Sequence, residues 1–116
     1  MMTTDHGLLL LIESAGIGDG EPDLGEKLMK AFLSQLLESG TVPAEAIFMN
    51  SGIFLTTEGS PVTEQLRALE AAGCRISSCG TCLDYYDRRD KILVGQAGNM
   101  KETVRAMLDA TKILKL

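Results

Sequence analysis

The run Gly7 to Ile12 is apolar at every position, with no polar residue alternating through it. A strand with one face in water alternates; a continuous run this short belongs to a strand covered on both faces. Pro22 then opens a different pattern. Leu24, Leu28, Phe32 and Leu36 form one row at four-residue spacing, with Met29, Leu33 and Leu37 in a second row beside it. That spacing is helical with a broad apolar face, suited to covering a sheet or reaching a second subunit, and Ser39-Gly40 ends it. The alternation repeats along the chain. Ala46 to Asn50 is a second strand. Ser60 and Pro61 suit an N-cap and a first helical position ahead of Val62, Leu66 and Leu69, and Gly73 closes that helix. Cys74 to Ser78 reads as a third strand, followed by a brief helix through Tyr86. Lys91 to Val94 is a fourth strand. Asn99 with Glu102 makes a capping-box start for a last helix, on which Met100, Val104, Met107 and Leu108 share one apolar face. Lys112 to Leu116 is a fifth strand. This order predicts an α/β fold: a three-layer α/β/α sandwich around a mainly parallel, five-stranded, Rossmann-like sheet. Residues 1–6 are expected as a flexible polar tail and residues 7–116 as one domain, since 116 residues leave no room for a second core.

In sheets of this kind function gathers at the carboxyl ends of the strands. Three loops should therefore share one rim: Glu13 to Glu21, Asn50 to Gly59, and Ser78 to Leu83. The last contains Cys79-Gly80-Thr81-Cys82, a Cys-x-x-Cys placed where a strand hands over to a helix. A thiol at a helix start meets the positive end of the helix dipole and free backbone N–H groups, and both favour thiolate. The pattern suits a nucleophilic sulfur, a dithiol/disulfide couple or half of a metal site. Cys79 and Cys82 are the candidate catalytic residues. Gly80 and Thr81 between them, with Asn50 and Ser51 on the adjacent loop, are the candidate substrate contacts. Tyr85 and Tyr86 are close enough in sequence to frame the site. Cys74, inside the third strand, reads as a packing residue.

Several chemistries fit poorly. Thioredoxins carry their motif after an early strand and use a cis-proline loop downstream; here the motif follows the third strand and no proline occurs after Pro61. A structural zinc wants four ligands, and beyond the motif only Cys74 and His6 remain as soft donors, without pair spacing. Cys82 to Arg88 formally matches a Cys-x5-Arg phosphate loop, but the interval Leu83-Asp84-Tyr85-Tyr86-Asp87 is acidic and bulky where a cradle needs small residues. Gly16-Ile17-Gly18-Asp19-Gly20 lacks the third glycine of a dinucleotide fingerprint, because position 21 is glutamate, and its carboxylates repel a pyrophosphate. His6 is the only histidine and falls in the expected tail, so no Ser-His-Asp or Cys-His pair is expected. No metal and no cofactor is expected.

Charge and length exclude further classes. The net charge is −5, and no Lys/Arg cluster exists beyond Arg88-Arg89. Counterion release needs clustered cations, so nucleic acid is not an expected partner. Leu8 to Ile12 is too short to span a bilayer and lacks the flanks of a signal peptide, so no membrane partner is expected. Three cysteines, an odd number, argue against a secreted disulfide framework, and a cytoplasmic location is expected.

These residues also resemble a known family. Asp23-Leu24-Gly25 with Leu28 to Leu33, Phe48-Met49-Asn50-Ser51-Gly52, Leu55 to Ser60, Ser78 to Tyr86, Val94-Gly95 and Asn99-Met100 are similar in order and spacing to the DsrE/DsrF-like superfamily. They most resemble the carboxyl-terminal domain of YedF-type selenium-metabolism proteins. The resemblance implies a Rossmann-like domain that handles sulfur or selenium, with sulfurtransferase-like chemistry. By position it assigns a persulfide-carrying role to Cys79 and a resolving role to Cys82. It also implies a sulfur-donor protein or a TusA-like carrier as partner, and a homo-oligomer. Two alternatives stay open at this point: a thiol-disulfide oxidoreductase using the Cys-x-x-Cys pair, and a non-enzymatic oligomeric binding module.

Overall fold

Leu8 to Ile12 lie at the heart of the sheet. In a computed structural model, which describes residues 2–116, they belong to β1 (Thr3–Ile12), flanked by β2 (Thr41–Phe48) on one side and β5 (Lys112–Lys115) on the other. β3 (Arg75–Cys79) pairs with β2, and β4 (Gln96–Gly98) closes that side. The strand order is β4-β3-β2-β1-β5, and every pairing in it is parallel. Leu10 and Ile12 point into a core shared with Met29 and Leu33 of α1 (Pro22–Glu38), Leu66 and Leu69 of α2 (Thr63–Ala71), and Leu83 of α3 (Gly80–Tyr85). Leu9 and Leu11 point the other way. They pack with Ile47 against Ala106 of α4 (Met100–Asp109) and Ala110 at its C-cap. Burial on both faces is the physical reason that the β1 run is apolar at every position.

The helices follow their sequence signals in part. Pro22 occupies the first turn of α1, where its missing N–H costs nothing, and Gly40 leaves the helix with φ 81°. Of its two apolar rows, Met29 and Leu33 are buried, whereas Leu24 and Leu28 are 53% and 44% exposed. Asn99 caps α4 as expected: its Oδ1 accepts from the Glu102 N–H at 2.9 Å, and its own amide donates to Glu102 Oε1 at 2.8 Å. The apolar face of α4, however, lies largely on the surface. Met100, Val104 and Leu108 stay exposed, because the helix turns its smaller residues, Thr103 and Ala106, inward.

Four expectations need correction. The polar tail is not a tail throughout. Thr3 to His6 extend β1, with Thr3 and Thr4 in register with Thr41 and Val42, and Met1 lies outside the described residues. β2 begins earlier and ends sooner than the Ala46 to Asn50 run. α2 begins at Thr63, because Ser60 Oγ accepts the Val62 N–H at 3.1 Å in a preceding turn and does not cap a helix. The fourth strand lies at Gln96–Gly98, beyond Lys91 to Val94. In that earlier segment Ile92 forms an isolated antiparallel bridge with Thr57, and Val94 enters the core. Gly95 redirects the chain between the two. It has φ 75°, and a Cβ there would sit 2.4 Å from the Ile76 carbonyl oxygen. β4 is a short edge strand that buries little, so Gln96-Ala97-Gly98 carries no apolar signal.

Gly95→Ala should therefore lower unfolding free energy by about 2 kcal/mol or more, from left-handed strain plus the backbone clash. Gly18→Ala, at φ 85° with open space around it, should cost only about 1 kcal/mol. Urea midpoints of the two variants check the difference; equal losses would remove the crowding at Gly95 as a cause.

Candidate functional site

Parallel register places the site. Ile12 pairs with Phe48, and Phe48 with Ser78, so β1, β2 and β3 release their chains at one level. The loops then knit together. Met49 donates its N–H to the Ile12 carbonyl at 3.0 Å, and Gly52 approaches the same carbonyl so closely that a Cβ would lie 2.6 Å from it. The loop after β1 folds back on α1, where the Ile17 N–H donates to the Gly25 carbonyl at 3.0 Å. A Cβ on Gly16 would meet Gly25 backbone at 2.9 Å. That approach accounts for a glycine inside α1, which otherwise costs about 1 kcal/mol relative to alanine.

Cys79 is the last residue of β3 and the N-cap of α3, as the sequence predicts. It is 8% exposed. Cys82 lies one turn into α3, is partly exposed, and neighbours Cys79 closely enough to influence its thiol. The Asn50 backbone N–H donates to Cys82 Sγ at 3.0 Å. Burial raises the Cys82 thiol pKa above its ordinary value, and the neighbouring Cys79 adds to that; the Asn50 N–H works in the opposite direction. Asn50 reaches the sulfur from a left-handed conformation, φ 52°, in which its Oδ1 accepts the Ser51 N–H at 2.9 Å. Asparagine tolerates this region better than most residues. All three cysteines are free thiols.

Of the other sequence candidates, Gly80 is buried at the start of α3. A Cβ there would meet Arg89 Nη2 and the Gly98 carbonyl oxygen, each at 2.9 Å. Thr81 faces solvent on the exposed side of α3, and Ser51 enters only through its backbone N–H. Tyr86 packs edge-on to Phe54 at 4.7 Å, whereas Tyr85 is 83% exposed. Cys74 is buried in the core, where burial and then Glu45 and Glu70 push its thiol up to about 12. His6 sits six residues upstream of Ile12 on β1, on the order of 20 Å from the rim at strand spacing. Among the described residues, no three His, Cys, Asp or Glu side chains converge to hold a metal ion.

Three features escaped the sequence. Arg89 grips α3: its Nε and Nη2 meet both Asp84 oxygens at 2.7 and 3.0 Å, and Nη2 also reaches the Gly80 carbonyl at 3.2 Å. The guanidinium holds the Asp84 carboxyl below its ordinary pKa. Arg88 lies over the Phe54 ring at 4.6 Å and donates to Thr57 Oγ1 at 3.1 Å and the Glu58 carbonyl at 2.8 Å. Its guanidinium is thereby held against the Phe54–Glu58 loop, which removes the phosphate-loop reading. Behind Cys79, Ser78 Oγ and Thr56 Oγ1 form a buried hydrogen bond of 2.6 Å. Acidic-basic spacing from Asp84 to Arg89 was the one signal available for the first; the others depend on residues distant in sequence. A separate groove of about 980 Å³ runs between α4 and the amino halves of β1 and β2, past His6, Glu45 and Arg75. It contains no cysteine and is separate from the Cys79–Cys82 pair.

Comparison with known proteins adds the fold's relatives. No family model matches the chain, and no curated protein sequence does. Among solved structures, the YchN protein of E. coli superposes with a TM-score of 0.70 at 19% identity, over 97% of this chain and 100% of that one. MTH1491 of Methanobacterium thermoautotrophicum, described as a protein of unknown function, superposes with a TM-score of 0.69 at 14% identity, over 97% and 100%. At such identities the likeness speaks for the fold alone. That shared fold is an α/β domain built on a parallel five-stranded sheet.

The environments rank the thiols. With native protein at pH 7 to 9, iodoacetamide should modify Cys82 and leave Cys74 untouched until denaturant is added. The Cys82 rate should keep rising with pH beyond the ordinary thiol range, because its pKa is raised. Peptide mapping against pH checks both; early labelling of Cys74 would contradict its placement in the core.

Proposed function

We propose that this chain carries sulfane sulfur, or selenium in the same role, on the Cys79–Cys82 pair. The observation that carries the reading is the pair of free thiols itself, set where β3 ends and α3 begins, with a backbone N–H on Cys82 Sγ. Two adjacent free thiols at the head of a helix, one accepting a backbone N–H, supply the sulfur nucleophile without a histidine base. Loading is a thiol exchange: the protein thiolate attacks the outer sulfur of a persulfide R–S–SH, the S–S bond breaks, and R–S⁻ leaves. The sulfane sulfur keeps its oxidation state, so neither cofactor nor metal is required. A sulfur-donor or TusA-like carrier protein is the partner we infer, in the reducing cytoplasm. Exposed apolar residues on α1 (Leu24, Leu28) and α4 (Met100, Val104, Leu108) are consistent with a homo-oligomer. YedF-type specificity belongs to the same proposal.

Intact-mass spectra after incubation with glutathione persulfide test it. Wild-type protein should gain one sulfur atom, and the double variant Cys79→Ser/Cys82→Ser none. An unmodified wild type, or an equal gain in the double variant, would overturn the reading.

The two free thiols at Cys-x-x-Cys spacing also favour a second reading, a thiol-disulfide oxidoreductase. Equilibration with glutathione buffers should then show a Cys79–Cys82 disulfide forming at an accessible potential. Its absence across the range removes that reading.

A further inference from the structure

We propose that the two cysteines act in the order Cys82 first and Cys79 second: sulfur enters on Cys82 and is then passed inward to Cys79. This inference rests on the sulfur-carrier reading and assigns the roles within it. The observations are geometric. Cys79, although first in sequence, is only 8% exposed and is capped between the end of β3 and the start of α3. Cys82 is the more exposed residue of the two. It is also the one that a neighbouring loop addresses: the Asn50 N–H donates to its Sγ at 3.0 Å.

Asn50 maintains a left-handed backbone to do so, φ 52°, held by its own side chain on the Ser51 N–H. Strained backbone of this kind costs of order 1–3 kcal/mol and persists where the surroundings demand it. Its effect here is a fixed donor aimed at one of the two sulfurs. A donor partner meets the exposed thiol first, and the buried thiol is reached only from within.

Two balanced exchanges follow. Cys82 thiolate attacks the outer sulfur of R–S–SH, the S–S bond breaks, and R–S⁻ departs, leaving Cys82–S–SH. Cys79 thiolate then attacks the outer sulfur of that persulfide, and Cys82 thiolate leaves while accepting the Asn50 N–H. No electrons are gained or lost overall. The product is a persulfide on Cys79, where burial shields it from bulk thiols.

Rapid-quench loading with glutathione persulfide, followed by alkylation and peptide mapping, reads the order directly in wild-type protein. The added sulfur should appear on Cys82 and move to Cys79 at later times. Cys82→Ser should load Cys79 at least tenfold more slowly than wild type, and in Cys79→Ser the added sulfur should stay on Cys82 at late times. Sulfur appearing first on Cys79 in wild-type protein, or Cys82→Ser loading at the wild-type rate, would overturn the order while leaving the carrier reading intact. A wild type that takes up no sulfur would instead overturn the carrier reading itself. The wild-type mapping stands whether or not a variant folds.

Discussion

The register of the parallel sheet is the constraint on which the site depends. Ile12, Phe48 and Ser78 stand side by side, so three chains leave the sheet at one level and their loops must share one small volume. Met49 and Gly52 bind the second loop to the end of β1, and the Asn50 N–H reaches Cys82 in the third. A slip of one residue would turn every side chain of the slipped strand to the opposite face. Leu10 and Ile12 would exchange places with Leu9 and Leu11, and Cys79 would leave the position that caps α3. The two cores on opposite faces hold the register, and the register holds the dithiol.

Unequal treatment of the two thiols comes from the same geometry. Cys79 inherits its burial from the strand, whereas Cys82 inherits its access from the helix. Arg89 stiffens that helix from outside by tying the Gly80 carbonyl to Asp84. Gly80 leaves space for this, since any side chain would collide with the guanidinium and with Gly98. The short helix is therefore clamped at its start, beside the two thiols. Its macrodipole is correspondingly small at six residues, so backbone donors and burial matter more to the thiols than the helix as a whole.

Elements were legible where burial forced a pattern. β1 and the Met29–Leu33 row of α1 announced themselves because both are wrapped in apolar neighbours. The capping box at Asn99 was legible because its partners are three residues apart. β4 was not, since an edge strand of three residues needs no apolar face. The exposed stripe of α4 was also not legible as exposed: helical spacing records which residues share a face, not which face meets the sheet. The Cys-x-x-Cys was visible as a motif, and its strand-to-helix position was inferred from the alternation around it. Arg88 stacking on Phe54 and the Ser78–Thr56 bond were hidden, because each joins residues more than twenty positions apart.

The sequence by itself determined the alternation of buried strands and covering helices, the pairing of two thiols at a helix start, and the scarcity of histidine and metal ligands. These are local or compositional properties, set by side-chain type and spacing. Only the tertiary structure decided which thiol faces outward, which backbone N–H meets it, and how Cys74 is withdrawn into the core. Those depend on strand register and on loops meeting across the rim. Such contacts form between residues that spacing along the chain cannot bring together.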